Sequence, residues 1–117
     1  MAWGTVELEE EVGLWLETLT TEQFARVTFY VDLLAEYGSL LGEPYTRQLD
    51  GKLRELRLYL DSEATRITYW IAPGRRIILL TVFKKTRMRE SREVQRARWA
   101  MTRCIAEAHK ADEEVEA

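Results

Sequence analysis

Apolar positions recur with a helical period in the first part of the chain and with a period of two in the second. Val12, Trp15, Leu16 and Leu19 fall on one helical face. Thr20 stands three residues before Gln23, the spacing of a capping box. In that motif the threonine hydroxyl takes the glutamine N–H and the glutamine side chain takes the threonine N–H. A second helix is therefore predicted from there, with Phe24, Val27, Phe29, Val31, Leu34 and Ala35 giving it a broad apolar face and Gly38 ending it. Ahead of both helices, Trp3, Val6 and Leu8 alternate weakly with Thr5 and Glu7, which predicts a short edge strand over residues 3–8. Leu40 to Gly51 contains Gly42, Pro44 and Gly51 and reads as a loop.

Residues 53–60 place Leu56, Leu58 and Leu60 on one side of a strand and Glu55, Arg57 and Tyr59 on the other. After a turn at Asp61–Ala64, a strand from Thr65 to about Ile71 sets Ile67, Tyr69 and Ile71 against Arg66, Thr68 and Trp70. Pro73-Gly74 marks another turn. Arg76 to Phe83 is apolar on both faces, as a central strand covered on both sides must be. A last helix from about Arg89 to Lys110 carries Val94, Ala97, Met101, Cys104, Ile105 and Ala108 in one stripe. The elements define an α+β domain: a short N-terminal strand, two helices, a three-stranded antiparallel meander and a C-terminal helix.

A chain of 117 residues forms one core without disulfides or a structural metal, and no linker or repeat divides it. A single domain over 1–117 is expected, with an acidic tail from about residue 107. Cys104 is the lone cysteine, so no internal disulfide forms. The longest apolar run, Ile77 to Phe83, is broken by Thr81 and falls far short of the ~20 residues of a membrane span. The N-terminus has no basic region ahead of an apolar one, so no signal peptide is expected and a cytoplasmic location is. Charge is unevenly spread: residues 1–43 carry −8, residues 44–103 carry +9 and the tail −4. A basic middle between acidic flanks fits an anionic partner on one face, or segments that neutralise each other.

A four-residue turn at Asp61–Ala64 would set Tyr59 opposite Arg66 and Arg57 opposite Thr68, clustering Arg57, Tyr59 and Arg66 on the face away from the leucines. The plain alternative is a solvated face in which Glu55 neutralises an arginine. At the exit of the apolar strand come Lys84, Lys85, Arg87 and Arg89, then Arg92. Two cation groups meeting at one place make a site for a phosphodiester, since arginine grips phosphate bidentately and lysine acts as a point charge. Other candidates are weaker. His109 and Cys104 lie five residues apart and cannot assemble a zinc site, and the acidic runs at Glu9-Glu10-Glu11 and Glu113-Glu114 read as solvated. No metal or cofactor is expected. Trp70 offers a stacking face beside the arginines, although its type more often anchors a core.

Between residues 14 and 105 the chain resembles the RelE/HigB superfamily of toxin–antitoxin toxins, in particular its phage-derived HigB-like branch. The resemblance is carried by Leu33-Leu34 and Gly38, Glu43-Pro44-Tyr45, Leu49-Asp50-Gly51-Lys52-Leu53 with Glu55-Leu56-Arg57, Arg66-Ile67-Thr68-Tyr69, and Phe83-Lys84-Lys85-Thr86, with Glu93 and Ala97 following. It implies a metal-independent endoribonuclease that cuts mRNA on the ribosome and is neutralised by a cognate helix-turn-helix antitoxin. Operator DNA would be bound only through that antitoxin, and no membrane is involved. Arg57, Arg66, Lys84 and Lys85 would be catalytic, converging on the scissile phosphate. Tyr59, Arg87 and Arg89 would bind RNA, and Tyr59 or a lysine would assist proton transfer. Two positions depart from the pattern of some such enzymes: Glu55 stands where a lysine occurs and Gln95 where a tyrosine does. The rival readings are a module that grips RNA or protein without cutting, and a structural protein with a merely solvated basic face.

Overall fold

The computed structural model describes residues 2–86 and 90–116, with side chains as far as Glu107. Strand β1 (Thr5–Leu8) leads into helices α1 (Glu10–Glu17) and α2 (Thr21–Tyr37). Strands β2 (Thr46–Asp50), β3 (Leu53–Leu60), β4 (Glu63–Ala72) and β5 (Arg76–Lys84) follow, and α3 (Glu90–Glu116) closes the chain. The five strands form one sheet in the order β1-β5-β4-β3-β2. β2 to β5 run as an antiparallel meander, and β1 lies parallel to β5. Among the described residues no helix is long and apolar enough to cross a membrane.

The expected capping box is present: Thr20 Oγ1 accepts from the Gln23 N–H at 3.1 Å, and Gln23 Oε1 accepts from the Thr20 N–H at 3.0 Å. Replacing Thr20 with alanine leaves a helix N–H unsatisfied and is expected to cost about 1 kcal/mol, measured by chemical denaturation. α2 ends at Gly38, whose φ of +54° suits glycine and where a Cβ would collide with the Trp3 ring. The helix end is thus tied to the chain's N-terminal segment.

The sheet separates two apolar layers. On one face Leu56, Leu58, Leu60, Ile67, Tyr69, Ile77 and Leu79 pack with Val12, Val27 and Leu34 of α1 and α2. On the other, Leu53, Trp70, Ala72, Ile78 and Leu80 pack with Ala97 and Cys104 of α3. β5 is buried on both faces, as its composition predicts. One expectation is corrected: the segment read as a loop over Leu40–Gly51 contains β2. This strand borders the sheet, so only Thr46 and Leu49 turn inward and the alternation is too short to register.

Polar contacts fix α3 at both sides of the sheet. Arg98 Nε meets Asp50 Oδ2 of β2 at 2.6 Å. Arg96 bonds Glu11 of α1 and donates to the Val82 carbonyl at 3.0 Å, while the Val82 N–H donates to Glu11 at 2.9 Å. β1 ends opposite Leu79, so Glu11 and Arg96 take the peptide group that a longer β1 would have paired.

Candidate functional site

The site is set by the hairpin between β3 and β4. Leu60 pairs with Glu63, so only Asp61 and Ser62 form the turn, with φ of 51° and 69°. Both left-handed residues suit the two-residue turn that matches strand twist. Arg57 therefore lies directly opposite Arg66, Tyr59 opposite Ala64 and Glu55 opposite Thr68. The expected pairs, Tyr59 with Arg66 and Arg57 with Thr68, are corrected by a shift of two residues. A shift of two preserves the faces, so Arg57, Tyr59 and Arg66 share the side away from α1 and α2.

That side is not a solvated charge layer. Arg66 is 3% exposed and Glu55 1%, whereas the Arg57 side chain is 26% exposed. Glu55 Oε2 stands 3.5 Å from Arg66 Nε and 3.6 Å from Arg57 Nε, so one carboxylate serves both guanidinium groups. Burial pushes the Glu55 carboxyl above its ordinary range, opposed by the charges of Arg66 and Arg57 and reinforced by Glu90 at the start of α3. Burial also lowers the Arg66 guanidinium, against the pull of Glu55. Arg66 Nη1 donates to the Thr65 carbonyl at 3.1 Å.

Sequence reasoning missed a third arginine. Arg47 on β2 pairs with Glu55 and is exposed, and its charge bears on that carboxylate. Reading β2 as a loop removed it from consideration, although the Arg47/Glu55 register would have shown it. Tyr59 is exposed two positions from Arg57 and offers an aromatic face at the edge of the cluster.

Lys84 does not join the arginines. β5 bulges where Thr68 pairs with Thr81 but Tyr69 pairs with Leu79, leaving Leu80 unmatched. Thr68 Oγ1 accepts from the Thr81 N–H at 3.1 Å and so satisfies the bulge. Beyond it the alternation is reversed: Thr81 and Phe83 turn toward the arginines, opposite Thr68 and Arg66, and Lys84 turns to the α1/α2 side opposite Thr65. There its Nζ pairs with Glu63 at 3.2 Å. The Lys85 N–H donates to the Ala64 carbonyl at 2.8 Å, so the chain stays beside β4 and alternation carries the exposed Lys85 to the arginine side. Arg87 and Arg89 lie outside the described residues, as does the side chain of His109.

Cys104 is buried in the α3 layer, and burial pushes its thiol up to about 11, so it is no nucleophile at neutral pH. Trp70 is buried in that same layer and serves the core. Among the described residues no cluster of His, Cys, Asp and Glu could hold a metal ion. What the site holds is one partly exposed and one buried guanidinium side by side, a third at the rim, and a buried counter-charge beneath. Guanidinium groups can offer an anion several donors at once.

Comparison with solved structures defines the fold. The free form of Escherichia coli toxin RelE, carrying two arginine-to-alanine changes, superposes with a TM-score of 0.59 at 17% identity, covering 88% of this chain and 98% of that one. The archaeal RelE–RelB complex from Pyrococcus horikoshii OT3 gives 0.55 at 22% identity, covering 72% and 97%. The fold is that of RelE toxins. Residues 14–103 match the family model described as phage derived protein Gp49-like, and the chain belongs to that family. No curated protein matches it.

Proposed function

We propose that the protein is the toxin of a toxin–antitoxin pair, an endoribonuclease that cuts mRNA on the translating ribosome without a metal ion. The observation that carries this reading is the Arg57/Arg66 pair: two like charges directly opposite each other on the sheet face away from α1 and α2. Glu55 offsets one of the two charges, and the positive charge that remains, with the partly exposed Arg57 at its front, suits an incoming phosphodiester. Membership of the Gp49-like family and the RelE fold support it.

In the proposed reaction the ribose 2′-oxygen attacks the adjacent phosphorus and the bond to the 5′-oxygen breaks, leaving a 2′,3′-cyclic phosphate and a free 5′-hydroxyl. Negative charge gathers on the phosphoryl oxygens, where Arg57 and Arg66 meet it, with Lys85 beside them. The 2′-hydroxyl proton must leave and the 5′-oxygen must gain one. Tyr59 and Lys85 are candidates for these proton transfers, and the ribosome supplies the alignment that a sparse acid–base set lacks. Arg47, Tyr59, Arg87 and Arg89 hold the flanking RNA. A helix-turn-helix antitoxin masks this face, operator DNA is bound through that antitoxin, and the complex is cytoplasmic.

Inducible expression of the chain alone, then with its antitoxin, with mapping of mRNA 5′ ends, tests the reading. Growth arrest with discrete new 5′-hydroxyl ends, both relieved by the antitoxin, is expected. Chelation by EDTA is expected to leave cleavage of ribosome-bound mRNA unchanged while the ribosomes stay intact, and loss of cleavage restored by magnesium would show a metal-dependent reaction. The deep burial of Arg66 favours one other reading, a module that grips RNA or a protein without cutting it. Growth arrest without new ends would select that reading.

A further inference from the structure

We propose that Glu55 is a positioning residue, a strut that holds Arg57 and Arg66 side by side. Its RNA readout rests on the phosphodiester reading above; its spectroscopic readout does not. Glu55 precedes Arg57 by two positions on β3, and its cross-strand partner Thr68 follows Arg66 by two on β4, so the four residues mark the corners of one patch. From that corner a single oxygen, Oε2, approaches the Nε of both arginines at 3.5 and 3.6 Å. Neither Nε makes a hydrogen bond at that distance, so the hold is one of charge, and the fork of the partly exposed Arg57 remains for an outside anion. Arg66 uses Nη1 on the Thr65 carbonyl. Glu55 Oε1 has no hydrogen-bond partner among the described residues and is buried. A carboxylate kept there at the cost of desolvation is held by the two positive charges it separates.

A mere counter-charge makes the opposite prediction. Removing it would raise the positive charge of the face and tighten anion binding. Removing a strut lets the arginines splay and weakens binding in spite of the added charge.

The test uses the full-length chain and the proton–nitrogen signals of arginine Nε–H groups, assigned with Arg57→Lys and Arg66→Lys. On acidification of the unaltered protein, the Arg57 and Arg66 signals are expected to move together along one curve, with its midpoint above the ordinary carboxylate range. Among the described residues, the charged groups bearing on Glu55 are Arg66 from β4, Arg57 from β3, Arg47 from β2 and Glu90 from α3. Glu90→Gln, which removes a like charge beside Glu55, should leave both arginine signals on one shared curve and move its midpoint downward. Two separate curves, or an arginine that does not respond, would overturn the proposal. In Glu55→Gln both signals should shift at neutral pH, and a non-cleavable 2′-O-methyl RNA should bind about tenfold more weakly, with Glu55→Asp between the two. Tighter binding by Glu55→Gln would overturn the proposal and leave Glu55 a counter-charge. If the unaltered protein binds no RNA, the nuclease reading falls and the titration alone decides the role of Glu55. The titration also decides if Glu55→Gln does not fold.

Discussion

Arg57→Ala is expected to slow mRNA cleavage by about 10²–10³-fold, the loss seen when one donor to a developing oxyanion is removed. Arg57 is the cleaner of the two arginines to change. Its side chain is partly exposed, and Glu55 keeps Arg66 when Arg57 is gone. Arg66→Ala should slow cleavage at least as much, but it also deprives a buried carboxylate of its close buried partner. A destabilisation of about 3–5 kcal/mol then accompanies the lost activity. Measuring cleavage and denaturation on both variants separates the effects: Arg57→Ala should keep its folding midpoint while losing turnover. Lys84→Ala should retain cleavage within about twofold, because Lys84 lies across the sheet with Glu63 and an exposed pair contributes little. Full activity in Arg57→Ala would remove the arginine pair from the chemistry.

Leu58→Ala is expected to cost about 2–5 kcal/mol of stability, by lost burial and by the cavity left behind. Leu58 is 2% exposed and sits in the layer between the sheet and the α1/α2 pair. The neighbouring residue on the chain, Tyr59, points the other way and is 58% exposed, so Tyr59→Ala should change stability by no more than about 0.5 kcal/mol. Chemical denaturation of the two variants measures how completely the strand divides core from surface. Equal losses would mean that the two faces of β3 are not distinct.

Much of this arrangement is legible in the residue pattern, because the strong signals are periodic. The leucines of β3, the apolar run of β5 and the Thr20/Gln23 cap each point to the structure found. Hydrophobic alternation decides which side of the sheet a residue takes, and it placed Arg57 and Arg66 together away from the leucines. Register is decided elsewhere, by the backbone of the turn. Asp61 and Ser62 adopt left-handed conformations that neither residue type announces as glycine would, so a longer turn was the natural reading. The bulge at Leu80 was likewise hidden in a run apolar on both faces, where no change of alternation shows. It alone separates Lys84 from the arginines. β2 escaped notice because a border strand needs little apolar sequence, and Arg47 was lost with it. The burial of Glu55 is a property of what covers the sheet, which the strand's own residues do not report.

The short β1 has a consequence for how copies of this protein meet. A sheet border normally invites another strand, and here the stretch of β5 beyond Leu79 is closed by Glu11 and Arg96 at Val82 instead. A strand cannot be removed without unfolding its neighbours, but a charged stopper can be loosened by dissolved ions, which screen its hold. Solutions of high ionic strength would then uncover a length of vacant backbone and favour self-association at that border. Stored protein is better kept in dilute buffer.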